Sequence, residues 1–226
     1  MVTPEYDKMK LTDAEWIFFD IGSTLFDETE AHNTRAAAAL ERLYEEKGIT
    51  VTLEEVNAYS VVLGKNGCRS PSPSSLRHFG AKKYPHYRKD LEVPYSSVPE
   101  VLERLHEKYK LGIISNQLGG TVKRLQQFDL LRHLDIVYSS AEMGMEKPAP
   151  DIFASALKAV GCPPERAVMV GDRPDNDIIP AKKLGMMAVR VRQGFYREME
   201  IPDTPDTPAP DGDIFLIDDL PDIMDC

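Results

Sequence analysis

A doubly wound, parallel α/β sheet with a helical insertion after its first strand is predicted by three features of the sequence. Short continuous apolar runs recur along the chain: WIFFD (16–20), LGIIS (111–115), DIVYS (135–139), AVMVG (167–171), MAVRV (187–191) and DIFLI (213–217). Runs without polar alternation are what strands buried on both faces require. Single helix-like segments lie between the later runs, and such alternation implies parallel pairing through right-handed crossovers. The third feature is a long gap, because residues 21–110 separate the first two runs and read mainly as helices.

The first run closes on Asp20 and a short loop follows. Thr29 to Lys47 places Ala36, Leu40, Leu43 and Tyr44 on one helical face, and Gly48 ends it. Thr52 with Glu55 three residues on makes a capping box ahead of Val56, Tyr59 and Leu63. RSPSPSS (69–75) reads as a Ser/Pro hinge, with a third helix beyond it ending near Tyr84. These helices are expected to form a small cap domain over the sheet's edge, residues 29–91, with 1–28 and 92–226 as the core. On the return, Pro99 suits a first helical turn ahead of Val101, Leu102, Leu105 and Tyr109. Pro150 starts another helix, with Ile152, Phe153, Ala156, Leu157 and Val160 at helical spacing before a Gly161 stop. PDTPDTPAPDG (202–212) is a Pro-rich loop.

Composition narrows the function classes. The chain has 226 residues, 42% hydrophobic and 28% charged, as a globular protein with one sizeable core has. No apolar run approaches the roughly 20 residues that cross a bilayer. The N-terminal MVTPEYDKMKLTDAEW lacks the apolar centre of a signal peptide, so a cytoplasmic protein without a membrane partner is expected. Cys68, Cys162 and Cys226 are odd in number and without metal-type spacing, which suits reduced thiols. A formal charge of −10 opposes nucleic-acid binding. That charge is uneven: Lys65 to Lys89 contains seven Lys or Arg and no acid, whereas ten acids and no Lys or Arg follow Arg197.

Ligands of open parallel sheets bind beyond the carboxyl ends of the strands. Asp20 closes the first run, Ser115-Asn116 the second and Gly171-Asp172 the fourth, while Lys147 follows the third within EKPAPDIF. Taken singly these are a helix cap, a turn serine and a solvated lysine. GDRPDND (171–177) is more specific, since Asp172, Asp175 and Asp177 crowd three carboxylates together.

In this order the four clusters resemble the motifs of the haloacid dehalogenase-like hydrolase superfamily, over nearly the whole chain. The first motif, Asp-x-Asp-x-Thr/Val, is here Asp20-Ile21-Gly22-Ser23-Thr24; Ser115 is the second, Lys147 before Pro148 the third, and Gly171-Asp172 with Asp177 the fourth. The resemblance implies a Rossmann-like core with an α-helical cap and a Mg²⁺-dependent phosphohydrolase of a small phosphorylated metabolite. It further implies that Asp20 attacks phosphorus to form an aspartyl-phosphate and that Lys147 balances charge in the transition state. Asp20, Asp172 and the backbone carbonyl of Gly22 would be the metal ligands. Ser115, Asn116 (through its backbone amide) and Lys147 would hold the phosphoryl group, and Asp177 would orient a water or Lys147 from behind, with Asp175 a poorer candidate.

Gly22 departs from the pattern, because in the family's phosphatases the second Asp protonates the leaving oxygen and then activates water. Such help is worth roughly 10²–10⁴-fold, or about 3–5 kcal/mol of barrier. Three accounts stay open: a substrate with a good leaving group, such as an acyl or aryl phosphate; a proton from Asp27, Glu28 or His32; or a weakly active or non-catalytic protein that binds a phosphorylated ligand or a partner. A phosphonatase-like C–P hydrolase, with Lys65 forming a Schiff base, is a further alternative. Retention of Asp172 counts against dehalogenase chemistry, and the four retained clusters favour a working phosphohydrolase. In the basic stretch Arg69 or Arg77 is expected to contact an anionic substrate beyond its phosphate, unless the stretch is only a solvated face drawn to the acidic C-terminal region. That acidic region is expected to contribute solubility alone.

Overall fold

The computed structural model describes residues 10–226, so the polar N-terminal stretch read above lies, over residues 1–9, outside the described residues. Six parallel strands form the main sheet: β1 (Trp16–Phe19), β4 (Lys110–Ser115), β5 (Ile136–Ser139), β6 (Ala167–Gly171), β7 (Met187–Val191) and β8 (Gly212–Ile214). Their order is β5-β4-β1-β6-β7-β8. A two-stranded antiparallel ribbon, β2 (Phe26–Asp27) with β3 (Val93–Pro94), joins the points where the chain leaves for the insertion and returns from it. Each apolar run in the sequence overlaps one of the six strands, but the last, DIFLI, does so only at Asp213 and Ile214, because β8 ends there and leaves Phe215 and Leu216 exposed.

β1 lies between β4 and β6, with Phe19 opposite Ile113 on one side and Val170 on the other. An all-apolar strand can then serve two layers. Ile17 and Phe19 pack with Val98, Leu102 and Leu105 of α4 (Val98–His106), whereas Phe18 packs with Ile152, Phe153 and Ala156 of α7 (Pro150–Val160). Pro99 sits in the first turn of α4, and α7 ends at Gly161 with φ 65°. Shorter helices α5 (Thr121–Gln127), α6 (Ser140–Met143), α8 (Ile179–Lys183) and α9 (Leu220–Ile223) complete the two layers.

The insertion holds α1 (Thr29–Lys47), α2 (Leu53–Lys65) and α3 (Pro71–His78). They enclose an apolar cluster of their own, made of Ala36, Ala39, Val56, Leu76 and Ala81. Gly48 ends α1 in the left-handed conformation, and the Thr52–Glu55 capping box is formed in both directions. Thr52→Ala is expected to lower the free energy of unfolding by about 1 kcal/mol, read from urea denaturation at constant slope.

Two local expectations are corrected. RSPSPSS is no hinge, since Pro71 occupies the first turn of α3, and no helix extends to Tyr84. Ser72 and Ser75 are buried, and the Ser75 hydroxyl donates to the Val56 carbonyl at 2.8 Å. The packing face of α3 is therefore Pro71, Ser72, Ser75 and Leu76, with the Ser75 hydroxyl satisfied by α2. The buried face of α1 is Ala31, Ala36, Ala39 and Leu43, which leaves Tyr44 63% exposed. Alanines let the helices approach closely, and a tyrosine in that seam would hold them apart.

The acidic C-terminal region also does more than solubilise. Ile214, Ile217, Leu220 and Met224 enter the main core, and Asp211 takes Lys182 Nζ at 2.7 Å together with the Ala188 amide at 2.8 Å. Asp213 pairs with Arg192 at 2.6 Å. Cys68, Cys162 and Cys226 are free. Among the described residues, no helix is long and apolar enough to cross a membrane.

Candidate active site

The ladder carries the chain one residue past β1, because the Asp20 amide donates to Val170 O at 2.9 Å. A tight loop follows, in which the amides of Leu25 and Phe26 both reach Ile21 O at 2.9 Å and Ser23 adopts φ 54°. Asp20 is thereby aimed at the rim of the sheet beside the ends of β4 and β6.

At that rim the Ser115 hydroxyl, fully buried, donates to Asp20 Oδ1 at 2.8 Å. The Asn116 side chain grips the backbone of Lys147 in both directions, each bond 2.8 Å. This clamp delivers the Lys147 ammonium, wholly buried, to 2.7 Å from Asp20 Oδ1 and 2.6 Å from Asp177 Oδ1. Asp172 follows β6 directly, and Asp177 comes round a single helical turn, Pro174–Ile178, to accept the Arg173 amide at 3.0 Å. Gly171 makes room for this turn, as a Cβ there would stand 2.5 Å from the Asp177 carboxylate. Asp175 points away and pairs with Arg173.

Oxygens of Asp20, Asp172 and Asp177 lie within 4.8 Å of one another. Burial raises the Asp172 pKa well above the usual carboxylate range, and the charges of Asp177 and Asp20 add to it. Burial raises Asp177 too, against the pull of Lys147. Burial would favour a neutral Lys147, but Asp177 and Asp20 outweigh it and hold the lysine pKa above its ordinary value. Three carboxylates thus face one ammonium, an excess of negative charge in hard oxygen ligands that fits Mg²⁺. Both oxygens of Asp177 are engaged, by Lys147 and by the Arg173 amide, so Asp20 and Asp172 are the freer donors.

A cavity of about 390 Å³ opens over this group, and Asp20, Gly22, Glu28, Asn116 and Asp172 line it from the core. Arg35, Arg69 and Tyr87 line it from the insertion and the segment that returns from it. Arg77 is not in the lining and instead donates to Tyr84 Oη and Ser74 Oγ. Glu28 lies against Gly22: a Cβ on residue 22 would stand 2.9 Å from either oxygen of its carboxylate. The Ser23 hydroxyl donates to Glu28 Oε2 at 3.1 Å. Burial, followed by the charge of Glu92, pushes the Glu28 pKa up to about 7.

Other parts of the site carried no motif. Arg190 is buried on β7 and donates to Tyr196 O at 3.0 Å, which anchors the Gly194–Tyr196 turn over the cavity. Gly194 has φ 63°, and a Cβ there would stand 2.3 Å from Ser23 Oγ. The Tyr196 hydroxyl donates to Cys68 O and Arg69 O, which ties this turn to the insertion. A charged residue inside an apolar strand, as in MAVRV, was the one available signal.

The profile of the haloacid dehalogenase-like hydrolases matches residues 17–191, which run from β1 to β7 and include Asp20, Ser115, Asn116, Lys147, Asp172 and Asp177. The chain belongs to that family. It is 32% identical to a glyceraldehyde 3-phosphate phosphatase of Methanopyrus kandleri, over 85% of this chain and 90% of that one. Identity to a phosphoglycolate phosphatase of Aquifex aeolicus is 29%, over 83% and 89%. Among solved structures, the hydrolase YfnB of Bacillus subtilis bound to magnesium superposes with a TM-score of 0.65 at 18% identity, covering 94% of this chain and 99% of that one.

Within this haloacid dehalogenase-like hydrolase the Schiff-base alternative loses its lysine. Lys65 is outside the cavity lining and pairs with Glu200 at 3.3 Å.

Proposed function

We propose that this chain is a Mg²⁺-dependent phosphatase that hydrolyses a small phosphorylated metabolite through an aspartyl-phosphate on Asp20. The observation that carries this reading is the convergence of Ser115 and Lys147 on one oxygen of Asp20, beside Asp172 and in the lining of a cavity between the core and the insertion. With Oδ1 held by both donors, Oδ2 is the atom left to attack phosphorus in line. Lys147 spreads the charge that develops on nucleophile and phosphoryl oxygens, while Ser115 and the backbone at Asn116 orient the phosphoryl group. Asp177 keeps Lys147 charged and fixed. A magnesium ion held by Asp20, Asp172 and the Gly22 carbonyl would neutralise the repulsion between carboxylate and phosphate dianion.

Residues 29–91 act in this reading as a cap on the core formed by 1–28 and 92–226, and they bring Arg35 and Arg69 to the substrate. A cavity of about 390 Å³ suits a phosphorylated molecule of triose size, in line with the names of the relatives. Free cysteines suit a reducing cytoplasm.

The test is phosphate release from a panel of phosphorylated metabolites that includes glyceraldehyde 3-phosphate, phosphoglycolate and an acyl phosphate. Turnover is expected with Mg²⁺, is expected to vanish in EDTA, and should return on adding Mg²⁺. Indifference of the rate to EDTA would overturn the metal-dependent reading. Arg69→Ala is expected to raise the KM of the best anionic substrate about tenfold, whereas Arg77→Ala should leave it unchanged.

A further inference from the structure

We propose that Glu28 supplies the carboxyl that the first motif lacks at residue 22, acting as general acid for the leaving group and then as general base for water. This proposal rests on the phosphatase reading and adds to it the residue that moves the proton.

The argument is one of space. Position 22 carries no side chain, and both oxygens of the Glu28 carboxylate stand 2.9 Å from where its Cβ would be. A side chain on residue 22 would have to push the Glu28 carboxylate from its present place, so Gly22 is the opening through which Glu28 reaches the rim. Glu28 lines the same cavity as Asp20 and Asp172. The Ser23 hydroxyl bonds only one of its oxygens, at 3.1 Å, which leaves the other for a substrate.

Its two rivals, Asp27 on β2 and His32 on α1, are placed differently. The Asp27 carboxylate accepts the Thr29 amide at 2.8 Å, and Asp27 is not in the lining of the cavity over Asp20. His32 does line that cavity, but its ring is set between the rings of Tyr87 and Phe195, at 5.0 and 4.9 Å, and its buried Nδ1 has no partner among the described residues.

The chemistry balances. Asp20 Oδ2 forms a bond to phosphorus as the bond from phosphorus to the substrate oxygen breaks, and the Glu28 proton goes to that departing oxygen to give an alcohol. The Glu28 carboxylate next takes a proton from water, whose oxygen attacks phosphorus. Asp20 departs as the carboxylate, inorganic phosphate is released, and Glu28 is again protonated.

Leaving groups provide the test. On an alkyl phosphate such as glycerol phosphate, Glu28→Gln is expected to lower kcat by roughly 10²–10⁴-fold. On 4-nitrophenyl phosphate, whose leaving group needs little protonation, the variant should still give a burst of nitrophenol of about one per protein. It should then stall as the aspartyl-phosphate, because water is no longer activated. In a second variant, Gly22→Asp with Glu28→Ala, the carboxyl returns to the family's position, and a large part of the alkyl phosphate activity is expected to return with it. Gly22→Asp alone places two groups in one space and should not improve the enzyme.

Unchanged alkyl phosphate turnover in a folded Glu28→Gln protein would overturn the proposal while the phosphatase reading stands. So would equal losses on both substrates without a burst, the mark of a merely structural role, or a loss found only in His32→Gln. A wild type that releases no phosphate from any substrate, and matches Asp20→Asn, would overturn both.

Discussion

Asp20→Asn is expected to lower Mg²⁺-dependent phosphate release by on the order of 10⁴–10⁶-fold, as loss of a nucleophile that acts with its neighbours does. The substitution is nearly isosteric, and the amide oxygen can still accept the Ser115 hydroxyl and the Lys147 ammonium that now meet Oδ1 at 2.8 and 2.7 Å. What it loses is a charged oxygen able to form the bond to phosphorus. The wild type, quenched during turnover of a labelled substrate, should carry acyl-phosphate label that hydroxylamine removes, and the Asn protein should carry none. Retention of a hundredth of the wild-type rate in the variant would show that residue 20 is not the nucleophile. Because binding and chemistry separate here, the variant should still be protected against heat by a phosphate analogue with Mg²⁺.

The sheet was legible in the sequence because its physical demand is simple. A parallel strand covered on both faces has no polar side to display, so WIFFD and AVMVG announce themselves as β1 and β6. Helix ends governed by local chemistry were equally plain, as at Gly48, Gly161 and the Thr52–Glu55 capping box. The failures lie where a distant partner decides. Serines that look like a hinge join the packing face of α3 once the Val56 carbonyl accepts one of them. Tyr44, apolar enough for a buried face, is displaced by alanines whose value appears only when α2 and α3 are in place.

The site divides along the same line. Motif order alone assembled Asp20, Ser115, Asn116, Lys147, Asp172 and Asp177, since each follows a strand end and the topology brings those ends together. Direction along a helix or loop was not available: Arg69 reaches the cavity, while Arg77 turns to Tyr84 and Lys65 to Glu200. The answer to Gly22 required a loop conformation. From the sequence, Asp27, Glu28 and His32 were equivalent neighbours, and only the turn around Ile21 separates them by bringing Glu28 back against residue 22.

Lys147→Met should be the most damaging single change to the fold around the site. Its ammonium is the positive charge between Asp20 and Asp177, and both it and Asp177 are wholly buried. Removing one partner of a buried pair leaves the other charge uncompensated, at a cost of about 3–5 kcal/mol. In metal-free protein the effect carries a pH signature. The Asp172 and Asp177 pKa values are raised by folding, that of Asp177 to about 6. Between the ordinary carboxylate range near 4 and those raised values the folded state holds more protons than the unfolded one, so stability falls as pH rises. Without Lys147, which pulls the Asp177 pKa down, the fall should become steeper and extend to higher pH. Urea titrations in EDTA from pH 4 to pH 8 would read this directly, the two proteins converging at the acid end and separating above pH 6. Mg²⁺ should then stabilise the Met variant more than the wild type at neutral pH, because the ion becomes the only counter-charge among the three carboxylates. Equal stability of the two proteins at pH 7 in EDTA would mean that the aspartates are already protonated there, and Lys147 would no longer qualify as their counter-ion.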